Sequence, residues 1–211
     1  WFSSTRRQHQ ILLVSTRIGA DTITPVVSAR DLGIYLDSDL SMRTHVSKTA
    51  SSCFATLRQI RSIQRSTSAA ALRSLVVSLI LSRLDYGNAL LAGLPDCLLA
   101  RLQSVQNAAA RLIFAARKCE HVTPLLCDLH WLRIRERIDY KLAVLAFRCL
   151  HGLAPSYLSC DLRRVADIEG RRHLRSASSA QLDVPRSRCS TLGDRTFAVA
   201  AARSWNRLPP S

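Results

Sequence analysis

The stretch Ser41–Arg65, SMRTHVSKTASSCFATLRQIRSIQR, carries the reading on which the fold class turns. Met42, Val46, Ala50, Cys53, Leu57 and Ile60 recur every three or four residues, which puts them on one face of a helix over 41–64. On the same wheel Arg43, Arg58, Arg61 and Arg65 flank the apolar stripe, so the helix packs on a body and shows arginines along one edge. Two readings of that edge stay open: a solvated basic face, the commoner case on a single helix, or an edge that faces phosphate.

Downstream the helical period continues. Ser66-Thr67-Ser68 supplies cap hydroxyls for a helix over 68–85, made largely buried by Leu72, Leu75, Val76, Leu79 and Ile80 and broken at Tyr86-Gly87. Leu94-Pro95-Asp96 opens a helix over 96–116. Leu99, Leu102, Val105, Ala109, Leu112 and Ile113 point inward on it, and Arg101, Arg111 and Arg117 lie outside the stripe or just past it. A hinge over 117–121 precedes a short helical turn at Thr123–Leu129. A long helix over 134–150 then carries Ile138, Leu142, Leu145 and Cys149 and stops at His151-Gly152. Residues 153–190 hold Arg163, Arg164, Arg171, Arg172, Arg175, Arg186 and Arg188 with little periodicity and read as a basic loop. A last short helix over 192–205 ends before Pro209-Pro210.

Upstream, His9–Ser15, Thr22–Val27 and Asp31–Leu36 read as short strands, with Ser28-Ala29-Arg30 closing a hairpin between the last two. The expected fold is therefore mainly α: a short N-terminal β-hairpin, a helical bundle, and a looser basic C-terminal region. The chain divides at 1–40, 41–116, 117–152 and 153–211.

Composition adds the charge. Thirty Lys and Arg face fifteen Asp and Glu in 211 residues, a formal +15, and only Lys48, Lys118 and Lys141 are lysines. Arginine brings a planar fork for phosphate and a face for stacking on bases, and so large an excess points to a polyanionic partner. An arginine-rich coding bias is the bland alternative. Seven cysteines without a paired pattern read as buried or free thiols of a reducing compartment. No apolar run is long enough to span a bilayer, and the expected location is intracellular, nuclear or cytoplasmic. The opening Trp1-Phe2-Ser3-Ser4 lacks Met and reads as the start of a fragment.

Chemistry is harder to find. Two-metal polymerase and nuclease sites need clustered carboxylates. The one close acidic pair near a strand, Asp37-Ser38-Asp39 with Asp31 upstream, reads as structural, with one residue in a turn and Asp39 near a helix N-cap. Glu120, Glu136 and Glu169 are far apart. Cys119-x-His121 and Cys127-x2-His130 are ligand-like in composition, but Cys-x-His is a poor zinc spacing and packing around Leu125-Leu126 competes for the same positions. Neither a GxSxG elbow nor a Gly-rich phosphate loop is present. No catalytic residue, metal, cofactor or small-molecule substrate is expected.

Several ordered strings carry a resemblance. Ala29 to Ser41, with Leu32-Gly33 and Asp37-Ser38-Asp39-Leu40-Ser41, is the first. Next come Leu81-Ser82-Arg83-Leu84-Asp85-Tyr86-Gly87-Asn88 with Ala92-Gly93-Leu94-Pro95, and Leu102-Gln103-Ser104-Val105-Gln106-Asn107-Ala108-Ala109-Ala110-Arg111. His121 to Leu126, Leu129-His130-Trp131-Leu132, Leu150 to Leu158, and Trp205-Asn206-Arg207-Leu208-Pro209 complete the order. Together they resemble the C-terminal part of non-LTR, LINE-type retrotransposon reverse transcriptases across nearly the whole chain; Gly87 departs from the family string, which often has Cys there.

The resemblance implies that Leu32 and Gly33 belong to a palm remnant like the hairpin that holds a primer terminus. It implies that 41–116 is a thumb-like region closing on template–primer, with RNA and DNA as partners. The polymerase Tyr/Phe-x-Asp-Asp motif would lie upstream, so no polymerase activity is expected of this chain. The expected nucleic-acid-binding residues are Leu32, Gly33, Arg43, Arg58, Arg61 and Arg65. A helical protein-interaction or host-adopted module is the alternative.

Overall fold

The apolar stripe that opens the sequence reading is buried along its whole length: Met42, Val46, Ala50, Cys53, Leu57 and Ile60 all lie inside. They sit on α1 (Arg43–Ile63) and its N-cap Met42 in a computed structural model that describes residues 9–10, 14–168, 181–187 and 192–209. The chain is mainly helical, with short antiparallel strands ahead of the helices. Arg171, Arg172, Arg175, Arg188, Glu169, Cys189 and Pro210 lie outside the described residues.

The strands form two hairpins rather than one. Strands β1 (Thr16–Ile18) and β2 (Asp21–Ile23) pair with Thr16 opposite Ile23, and β3 (Ser28–Asp31) and β4 (Ile34–Asp37) pair with Ser28 opposite Asp37. Two expectations are corrected here. His9 and Gln10 lie in a helical turn and Val14 and Ser15 in no strand, while residues 11–13 fall outside the description. Ser28-Ala29-Arg30 is strand, and the reversal falls at Leu32-Gly33, with φ of 45° and 85°. Positive φ at both central residues is the signature of a type I′ turn, whose twist suits a two-residue hairpin. Leucine is a costly occupant of the first position, which is why local chemistry did not mark the turn.

Asp37 joins the second hairpin to α1. Its carboxylate, 6% exposed, accepts from the Thr44 amide at 3.1 Å and the Ser41 hydroxyl at 3.1 Å. Asp37 thus satisfies a free amide of the first helical turn from outside the helix, the task expected of Asp39. Asp39 instead accepts from the Ser41 amide at 3.0 Å. Burial raises the Asp37 carboxyl, but hydrogen bonds from Thr44 and Ser41 outweigh it and hold it below its ordinary 3.8. His45, also 6% exposed, accepts the Tyr35 amide at Nδ1 over 3.5 Å. Burial pulls its ring below the ordinary 6.5, against the attraction of Asp37.

The next helical stretch has a change of gait. Helix α2 (Ala69–Val76), capped by the Ser68 hydroxyl on the Ala71 amide, runs through a π-helical turn at Val77–Leu81 into α3 (Ser82–Asp85). Leu72, Val76, Ile80 and Leu84, spaced by four, are all buried. In a straight α-helix that spacing drifts by about 40° per step. The wider π turn takes up the drift and brings Ile80 and Leu84 back into line, leaving Leu79, expected inside, 38% exposed.

The remaining helices are α4 (Asp96–Ile113), α5 (Val122–Asp128), α6 (Ile134–Leu150), α7 (Ser156–Ser159) and α8 (Phe197–Asn206). The chain falls into two compact units, Trp1–Tyr86 with Pro95–Trp131, and Gly87–Leu94 with Leu132–Ser211. In the first, α1 packs on α4, and Leu126 of α5 with Leu129 at its C-cap is buried against Ala110. In the second, α6 packs on α8, and the Ser204 hydroxyl donates to Asp139 at 3.0 Å.

The stretch read as a basic loop holds some order in that second unit. Leu182 is buried and pairs as an isolated bridge with Arg164, and Asn206 meets its backbone twice, accepting from the Leu182 amide at 2.9 Å and donating to its carbonyl at 2.8 Å.

Acid should loosen the hairpin–helix junction in two steps. The neutral His45 ring contributes fully above pH 6.5 and progressively less as pH falls below it; Asp37 contributes above pH 3.8 and is lost as pH falls through its lowered value. Thermal melts against pH should therefore show His45→Gln flattening the upper step. Asp37→Asn should remove the lower one and cost roughly 2 kcal/mol at neutral pH.

Candidate nucleic-acid interface

Helices α1 and α4 run side by side in the same direction. Near their starts Arg101 donates to the Ser47 hydroxyl at 3.1 Å, and near their ends Gln64 donates to the Leu112 carbonyl at 2.8 Å. Between the two C-terminal halves lies a groove of about 690 Å³. Its floor is apolar, with Phe54, Leu57, Ala108 and Leu112, and Phe54 keeps 36% of its surface exposed. Arg58 and Arg61 line it from α1, Arg111 from α4, and Arg117 and Lys118 from the segment beyond; Gln64, Ser104 and Asn107 add neutral polar groups. Among the described residues none that lines it is acidic.

The turn after α4 brings its cations back to the groove. The Ala116 amide donates to the Arg111 carbonyl at 2.9 Å and the Ala115 amide to the Leu112 carbonyl at 3.4 Å, with Ala115 at φ 51°. This is the Schellman ending, in which the left-handed residue usually is glycine. It stops the helix three residues short of the expected 116. Glu120 fixes the following bend by accepting the Arg117 amide at 2.7 Å. The Arg111 guanidinium is held in the wall, where Nη2 donates to the Glu120 carbonyl at 3.1 Å and Nε is buried without a partner.

Of the six residues expected to bind nucleic acid, Arg58 and Arg61 meet in the groove. Arg65, in the 3-10 turn Gln64–Ser66, is exposed and is not part of the lining. Arg43 is exposed in the first turn of α1, 18 residues from Arg61 and so about 27 Å away along the axis at ~1.5 Å per residue. Leu32, 84% exposed, and Gly33 form the tip of the second hairpin, where the Tyr86 hydroxyl donates to the Leu32 carbonyl at 2.5 Å. The same hairpin holds Tyr35, whose ring has Lys48 Nζ 4.1 Å from its centroid.

Arg111, Arg117 and Lys118 also line the groove, which the sequence expectation does not include. Arg111 and Arg117 fall beside or beyond the α4 stripe in sequence; the packing of α4 on α1 sets Arg111 opposite Arg58 and Arg61, and the Schellman turn adds Arg117 and Lys118. Two other arginines serve the fold: Arg101 as above, and Arg83, which donates to the hydroxyls of Ser52 at 2.8 Å and Thr56 at 3.3 Å.

The ligand-like Cys and His residues are scattered by the fold. Cys119, His121 and Cys127 are exposed, and His130 is the left-handed residue of another Schellman ending, with φ 55° and the Trp131 amide donating to the Leu126 carbonyl at 2.9 Å. Among the described residues no group of three or more His, Cys, Asp or Glu side chains gathers where a metal ion could sit. The described cysteines are free, and burial pushes the Cys53 and Cys149 thiols up. Among the described residues no helix is long and apolar enough to cross a membrane. Comparisons with protein families, curated proteins and solved structures return no match to this chain.

Ala115 gives a direct test of the turn that shapes the groove. Glycine adopts its backbone conformation without a Cβ penalty, so Ala115→Gly should raise stability by roughly 0.5–1 kcal/mol, read as a higher Tm. A lower Tm would show that the Ala115 methyl contributes more to the groove wall than its strained backbone costs.

Proposed function

We propose that this chain is the thumb-like and downstream part of a non-LTR retrotransposon reverse transcriptase, and that it binds template–primer nucleic acid without chemistry of its own. The observation that carries the reading is the α1–α4 groove, where five cations from three segments converge with no carboxylate among them. Such a convergence favours a polyanion, and arginine suits phosphate in particular. The ordered strings support the parentage, and so does the Leu32-Gly33 tip: an exposed leucine in a left-handed conformation is a costly feature that contact with a ligand would account for. That parentage also suggests an intracellular setting, nuclear or cytoplasmic. The apolar floor around Phe54 favours the second reading, a helical protein-interaction module with an acidic partner.

Binding of nucleic acid at low salt separates the two. Affinity for a template–primer, an RNA–DNA duplex with an unpaired template extension, should fall steeply with ionic strength, by roughly 0.7–0.9 log units per log of salt for each phosphate contact. Replacing Arg58 and Arg61 together by Gln should remove about two contacts from that slope, and Arg43→Gln with Arg65→Gln should alter it less. Absence of duplex binding at low salt would refute the nucleic-acid reading. A primer-extension assay in Mg²⁺ should show no incorporation; extension above background would overturn the assignment as non-catalytic.

A further inference from the structure

The groove has two layers of different chemistry. Cations ring it, but its floor is Phe54, Leu57, Ala108 and Leu112, with the amides of Gln64 and Asn107 beside them. A double helix has no use for that floor. Its bases are stacked on one another, and it presents to a protein only phosphates, sugars and base edges. An unpaired nucleotide does have a use for it, because a free base carries an exposed apolar face, a hydrogen-bonding edge and an attached phosphate. The size agrees: about 690 Å³ lies within the range of sites that enclose a small molecule, roughly 300–1,000 Å³, and would admit one or two nucleotides.

We infer that the α1–α4 groove takes an unpaired stretch of nucleic acid, with a base laid on the Phe54 floor and its phosphates held by Arg58, Arg61, Arg117 and Lys118. This rests on the nucleic-acid reading above and narrows it: the groove receives the single-stranded extension next to a duplex rather than the duplex itself. Asn107 is placed to meet a base edge, and its Oδ1 already accepts from Gln103 at 2.8 Å, which orients the amide. Gln64, tied to the Leu112 carbonyl, braces the end of the groove.

The test compares two labelled RNA–DNA duplexes by fluorescence anisotropy, one blunt and one with an unpaired extension of about six nucleotides, within the span such grooves cover. The extension should tighten binding about tenfold, the effect expected of one stacked base. Phe54→Ala should bring the ratio of extended to blunt affinity down to about one. So should Ser104→Glu, which sets a negative charge on an exposed lining position where misfolding is not at issue. Equal affinity of the parent chain for both duplexes would overturn the inference while leaving duplex binding standing. A tenfold ratio that survives both substitutions would place the single-strand site elsewhere and overturn it too. Failure of both duplexes to bind at low salt would remove it together with the reading on which it rests.

Discussion

Helices α1 and α4 share a buried seam, with Val46, Ala50, Cys53, Leu57 and Ile60 on one side and Leu102, Val105, Ala109 and Leu112 on the other helix. Burying each Val, Leu or Ile of this set is worth roughly 1.5–3 kcal/mol, so the seam outweighs any single polar contact in the first unit. Hydrogen bonds at its two ends add register, Arg101 to Ser47 and Gln64 to Leu112. Because the helices run in the same direction, their C-terminal ends finish together. That constraint sets Arg58 and Arg61 across from Arg111 and makes a groove where either helix alone would show only a surface.

What could be read in the sequence follows how far each structural cause extends along the chain. A helix that buries one face writes its period over five turns, and the α1 stripe and the limits of α6 were legible for that reason. Hairpins depend on one or two residues. The Leu32-Gly33 turn has only half of the usual chemistry, its glycine, and the β-branched residues nearby suggested a different register. Helix ends tell the same story. Helices α4, α5 and α6 all finish with the same pair of hydrogen bonds around a left-handed residue, which is Ala115, His130 and Gly152 in turn. Only the last is a glycine, and only that ending can be read from the sequence.

The candidate site was half legible for a related reason. Arg58 and Arg61 lie on one helix and share its wheel. Their counterparts belong to another helix and to the turn after it, and no periodic pattern links residues across such a break. The π turn shows the limit from another side, since a stripe spaced strictly by four was visible, whereas the wider turn that keeps it straight was not. Asp37 reads as structural in the sequence, but the helix it serves begins several residues later, across a bend that only the folded chain closes.

Five cations in one groove repel one another, and a cluster of this kind commonly needs acids interleaved to hold it together. Those acids would then compete with any anion that arrives. Here the parallel run of α1 and α4 offers another source of negative potential. Each helix terminus carries the equivalent of about half an elementary charge from its aligned peptide dipoles, and both C-terminal ends lie at the groove. The last turns hold Arg61 on α1 and Arg111 on α4, so the helix ends can steady these two cations without adding an acidic side chain to the groove lining.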